Sequence, residues 1–224
     1  MFCAGEKLQA ARPRSARLRP VNSGVRRLLK IHQTGMPKQD LIRRAFDTCP
    51  STTIVLGLTA LITLAQFVWP QVLELFRRTP DALQTGEWWR IVSPLFVHAY
   101  GWPHLLFNLG WISAVGLAVE RRFGHLHWLL LYFVPGIVGE FAGLAWDPHG
   151  AGSSLGGSGL LGAFAVWLLV HPPTLRSQGR WWGLFIILCG TMLTLLHNIH
   201  GPPIVAGAAL GALILRSGER NPLQ

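Results

Sequence analysis

Gly156-Gly157-Ser158-Gly159 sets a serine among glycines, at the head of the apolar run Leu160 to Val170. A polar side chain in apolar surroundings is costly and tends to mark function. Alone, the cluster reads better as close packing, because small residues let membrane helices approach and a serine hydroxyl can bond back to its own helix. His104 and Asn108 stand at i and i+4, on one face of a helix. Alone they read as hydrogen bonds between helices. His197 and His200 lie between the last two apolar runs, where ordinary interfacial residues would also fit. Three such sites in one apolar chain point further. A serine needs a base to become a nucleophile, and histidine suits that at neutral pH. Acyl transfer also needs donors for a developing oxyanion. Asparagine, neutral histidine and the backbone N–H groups of a helix start can supply them. With Ser158 opening its helix, the helix dipole would favour negative charge there.

The elements that must hold these residues are apolar. Of 224 residues, 50% are hydrophobic and 13% charged, and several runs are long enough to cross a bilayer. The expected fold class is an all-α membrane protein, with six transmembrane helices and a short central one carrying the serine. The net charge of +10 sits mostly in the first fifty residues. A basic flank before a first apolar helix reads as a cytoplasmic anchor, and no recognition fold follows it, so nucleic acid is not an expected partner. Cys3, Cys49 and Cys189 form no CxxC pair, and HExxH and GxxxxGK[ST] are missing. Neither a disulfide framework, a metal site nor a P-loop is indicated, and no cofactor is expected.

In chain order, residues 1–50 read as a basic cytoplasmic tail, with Met36 an alternative start and an Arg-rich organellar presequence the other reading of 1–35. Asp40 to Phe46 suits a short amphipathic turn. The membrane domain is expected over 51–216 and a cytoplasmic tail over 217–224. Expected spans are Thr52 to Phe76, Pro103 to Val119, Trp128 to Trp146, Ser158 to Val170, Trp181 to Leu196 and Pro202 to Leu215. The fourth is about 20 Å long at 1.5 Å per residue, so it belongs inside the bundle. Glu120-Arg121-Arg122, Pro172-Pro173 with Arg176, and Arg216 mark cytoplasmic ends; Arg77, Arg78 and Arg90 are the exceptions outside. Glu140 must face protein or sit near the interface.

Over Glu87 to Leu215 the sequence resembles the rhomboid family of intramembrane serine proteases. The likeness is carried by Glu87-Trp88-Trp89-Arg90, the His104–Asn108 pair, the stretch Gly116 to Gly124, the GxSG motif of Gly156 to Gly159, and the small-residue stripe of Gly207 and Gly211. The resemblance implies six helices around a water-accessible cavity and a Ser–His dyad. It implies Ser158 as nucleophile and His104 and Asn108 as oxyanion or water-holding residues. It implies membrane-anchored protein substrates cut in or beside a transmembrane segment, and a bacterial inner membrane with both termini cytoplasmic is the expected location.

Two positions depart from the family pattern. Ile204 stands where the family places its catalytic histidine, and Gly162 stands where it often has a tyrosine. His200 lies on the same helical stripe as Ile204, one turn (about 6 Å) nearer the outside, and is the first candidate base. His197 is the second. Gly201 and Pro202-Pro203 suit a loop-to-helix entry that lets His200 lean towards Ser158. The alternative is a rhomboid-like protein that binds transmembrane helices without cutting them. A small-solute transporter is the more distant reading, since paired repeats and broken helices are missing and Glu140 is the nearest thing to an intramembrane charge pair.

Overall fold

The computed structural model describes residues 49–170 and 178–219. The tail expected before residue 49, the turn at Asp40 to Phe46, Pro172-Pro173, Arg176 and residues 220–224 lie outside them.

All regular structure among the described residues is helical. Helix α1 spans Pro50–Val68, followed by short α2 (Gln71–Phe76) and α3 (Pro80–Gln84). Two 3-10 turns, Trp88–Ile91 and Ser93–Phe96, lead into α4 (Gly101–Phe123) and α5 (His125–Trp146). Then come α6 (Ser154–Val170), α7 (Gln178–Leu195) and α8 (Gly201–Glu219). Helices α1, α4 and α5 are each long and apolar enough to cross a membrane, while α6 and α8 are shorter apolar helices.

Boundaries differ from expectation for local reasons. The first span ends at Val68 rather than Phe76. Pro70 lacks an N–H and forces Trp69 out of the helical region, to φ −125° and ψ 92°. The fourth helix begins at Ser154, four residues before the expected start. Ser158 therefore sits in its second turn, and Ser154 holds the N-terminal place foreseen for Ser158. The last helix runs on to Glu219 instead of stopping at Leu215.

Polar side chains fasten the helix ends. The Glu120 carboxylate accepts from the Ser51 and Thr52 amides at 2.7 and 2.8 Å, so an acid of α4 caps the start of α1. Pro50 opens that helix, where its missing N–H is not needed. Gly124, at φ +79°, makes the sharp turn from α4 into α5, which a side chain would strain. At the other end Arg90 is buried and bonds Glu87 Oε2 at 2.6 Å and the Arg77 carbonyl at 3.1 Å, tying together the segment after α2. Trp89 beside it is exposed.

Helix α6 is the centre of the bundle, buried over most of its length. Its glycines make that possible. A Cβ on Gly156 would strike the Tyr132 ring, and one on Gly159 the Leu131 carbonyl and Pro135. A Cβ on Gly207 of α8 would collide with the Gly159 carbonyl, and one on Gly211 would press on Ala163. Gly207 and Gly211 are thus where α8 closes on α6, running parallel to it.

Candidate active site

At the N-terminal ends of α6 and α8 lies a cavity of about 240 Å³. Its lining includes Tyr100, His104, Asp147, Ser154, His197, Asn198 and His200. Ser158 does not line it and is 4% exposed.

The link from α7 to α8 explains how His200 reaches this place. Helix α7 ends with the His197 N–H on the Thr194 carbonyl (3.1 Å) and the Asn198 N–H on the Leu193 carbonyl (2.9 Å). These two bonds close a helix through a left-handed residue, normally glycine. Here that residue is His197, at φ +56°. The turn reverses the chain within five residues. Asn198 then holds it, its Oδ1 accepting from the His200 backbone N–H at 3.0 Å.

The same Oδ1 accepts from His200 Nδ1 at 3.0 Å. The proton is therefore on Nδ1, and Nε2 carries a free lone pair. That Nε2 is 3.0 Å from Ser154 Oγ, so the hydroxyl donates to it. Burial holds the His200 imidazole below the ordinary histidine range, with the Asp147 carboxylate partly opposing. Asn198, His200 and Ser154 thus form a relay of orienting acceptor, neutral base and hydroxyl.

His104 faces this relay across the cavity, packed against Gly152 and edge-on to His98 with centroids 4.9 Å apart. Its Nδ1 is buried with no hydrogen-bond partner among the described residues. Asn108, one turn further along α4 and off the cavity lining, accepts from Trp111 Nε1 at 2.9 Å, while its own Nδ2 is buried without a partner among the described residues. Buried unpaired polar atoms are costly and rare, and two on one helix face invite an acceptor.

A second serine–histidine contact lies nearby. His98 is fully buried, and burial together with the His104 ring pushes its imidazole down to about 3. The Thr63 hydroxyl donates to the Phe96 carbonyl and so accepts from His98 Nδ1 at 3.0 Å. Ser153 then donates to Nε2 at 3.1 Å. Neither His98 nor Ser153 lines the cavity. This pair fixes the loop that starts α6.

The remaining candidates fall as follows. His197 lines the cavity and packs edge-on to Trp146 (5.1 Å), but bonds no serine among the described residues. The Ser158 hydroxyl makes no hydrogen bond to a described residue. Ile204 directs its side chain at Gly190 of α7, and its carbonyl presses on Gly162. Glu140 is fully buried and ion-paired with Arg78, whose Nη2 also donates to the Asp147 carbonyl at 2.5 Å. Arg78, expected as an outside charge, is thus a buried clamp in the wall of the cavity. No group of three or more metal-ligating side chains occurs among the described residues.

Sequence reasoning missed Ser154 and the orienting role of Asn198. The signal for Ser154 was present: it precedes Ser158 by the same four residues by which His200 precedes Ile204.

A model of the rhomboid domain matches residues 85–216. The rhomboid protease GluP of Bacillus subtilis is 43% identical over 79 residues, 35% of this chain and 15% of that protein. RHOMBOID-like protein 9, chloroplastic, of Arabidopsis thaliana is 33% identical over 141 residues, 60% of this chain and 31% of its own. Rhomboid-like protease 3 of Toxoplasma gondii is 36% identical over 87 residues, 38% of this chain and 33% of its own. The chain spans a third or less of the length of each of these relatives.

Proposed function

Since the chain belongs to the rhomboid family of membrane proteins, we propose that it is an intramembrane serine endopeptidase cutting membrane-anchored proteins in or near their transmembrane segment. The observation that carries this reading is the relay in which Asn198 fixes His200 and His200 Nε2 accepts from a serine hydroxyl inside a cavity. His200 is the general base of a Ser–His dyad. The serine comes from the first turns of α6, where Ser158 holds the family's motif position and Ser154 lies beside the base. His104 and Asn108, with their unpaired buried nitrogens, stabilise the oxyanion. The chemistry calls for no cofactor or metal. In this reading α1 and α4 to α8 cross the bilayer, the cavity opens outward, and both termini are cytoplasmic in a bacterial inner membrane.

One observation favours a second reading. Ile204, at the family's base position, cannot take a proton, as expected of a protein that binds transmembrane helices without cutting them.

The test uses purified protein in proteoliposomes with a reporter anchored by one transmembrane segment containing small residues. Cleavage is expected, with His200→Ala lowering it at least about 100-fold, the usual contribution of a general base. Folded wild-type protein that binds the reporter and leaves it intact would establish the second reading.

A further inference from the structure

Helices α6 and α8 run parallel in one register. Ser154 meets His200 at the cavity end. Deeper along both helices Gly159 meets Gly207, and Gly162 meets the Ile204 carbonyl and the Ala208 backbone nitrogen. The histidine is displaced by one turn from the family's position, and a hydroxyl stands displaced by the same turn on the facing helix.

We infer that the nucleophile is Ser154 rather than Ser158, so that the whole dyad is shifted one helical turn towards the outer end of the bundle. This rests on the reading of the chain as a serine endopeptidase. Ser154 lines the cavity, is half-buried, and already donates to His200. Ser158 is off the cavity and makes no hydrogen bond to a described residue, and Ile204, one turn beyond His200, turns its side chain to Gly190. The other serine–histidine contact, Ser153 with His98, is fully buried and off the cavity, so substrate cannot reach it.

The step runs as follows. The Ser154 Oγ–H proton passes to His200 Nε2 as Oγ bonds to the scissile carbonyl carbon, and the carbonyl π pair moves onto oxygen beside His104. Collapse breaks the C–N bond, and His200 returns its proton to the leaving amine. Water then attacks the ester, giving a proton to His200. The C–O bond to Ser154 breaks, and the serine regains its proton. Four residues of helix correspond to about 6 Å, so the scissile bond is presented that much nearer the outer surface than one offered to Ser158. The substrate class is therefore membrane-anchored protein cut at the outer boundary of its transmembrane segment, not deep within it.

The full chain, purified in detergent, is treated with a fluorophosphonate probe, and the adduct is located by peptide fragmentation and mass spectrometry. The phosphonyl group is expected on Ser154. Ser154→Ala should lower labelling at least about 100-fold, and Ser158→Ala by less than about threefold. An adduct on Ser158 that persists in Ser154→Ala overturns this inference and leaves the peptidase reading standing. No serine adduct, in protein with an undiminished melting temperature, overturns both.

Discussion

Two levels of the same helix pair, one turn apart, differ in what they can do. The deeper level holds Ser158, Ile204, Gly162 and Gly207. There backbone meets backbone: Gly207 admits the Gly159 carbonyl, and Gly162 admits the carbonyl of Ile204. The level nearer the cavity holds Ser154, His200 and Asn198, with His104 opposite. There Ser154 and His200 are half-buried and hydrogen-bonded to each other, and space is open to a ligand. The deeper level carries the family's serine motif but is built as packing. The shallower level lacks the motif and has the proposed base, the acceptor that holds it and the room. A motif names residue types at a spacing, whereas chemistry needs a neighbour for the serine, and that neighbour is set by the register of a second helix.

The comparison is broken most severely at the packing level. Gly207→Leu would drive a side chain into the Gly159 carbonyl, where no flexible atom can yield. Overpacking of this kind costs about 1–3 kcal/mol and occasionally more. A large fall in melting temperature in detergent is expected, with the Ser154–His200 groups chemically untouched. An unchanged melting temperature would mean the two helices are not held by this contact.

At the shallower level the effect is on rate and pH. Asn198 positions His200, so Asn198→Ala should lower kcat roughly tenfold with KM held, as for other groups that orient a reactive side chain. Asn198→Asp sharpens the point. In the proposed dyad cleavage needs neutral His200, and burial holds its imidazole below the ordinary value of about 6.5. The acid limb of the wild-type profile therefore falls below that pH. A carboxylate at the Asn198 position, 3.0 Å from Nδ1, raises the imidazole, and the limb should move upward. A limb that stays in place would show that Asn198 acts only on the loop.

The smallest effect is expected at His197, whose ring bonds no serine. Its left-handed backbone costs about 1 kcal/mol for a residue with a Cβ. His197→Gly should leave cleavage unchanged and raise stability by about that amount less glycine's extra chain entropy. Loss of cleavage would return His197 to the list of candidate bases.

Much of this was legible in the sequence. Apolar runs gave the helices, charged and proline residues gave most of their ends to within four residues, the first span's end at Val68 excepted, and Glu140 was expected to face protein or sit near the interface. The i,i+4 relation of His200 to Ile204 marked a displaced histidine. Ser154 was not singled out because a one-turn shift leaves hydrophobic periodicity unchanged, and register between two parallel helices is a tertiary property. The break after Val68 was weakly legible, since a proline ends a helix at the residue before it only when nothing else supports the kink. His197 hid its backbone conformation, because histidine is not the residue usually found in a left-handed helix cap. Arg78 read as a solvated outside charge. Its partner Glu140 lies 62 residues away, and only the fold brings them together.

The most direct measurement is the initial rate of reporter cleavage in proteoliposomes by Ser154→Ala and Ser158→Ala, compared with wild type at equal folded concentration. The shifted dyad predicts that Ser154→Ala loses on the order of 1,000-fold or more, while Ser158→Ala stays within about threefold. The reverse order, with Ser158→Ala inactive and Ser154→Ala near wild type, would contradict it and return the nucleophile to the deeper turn.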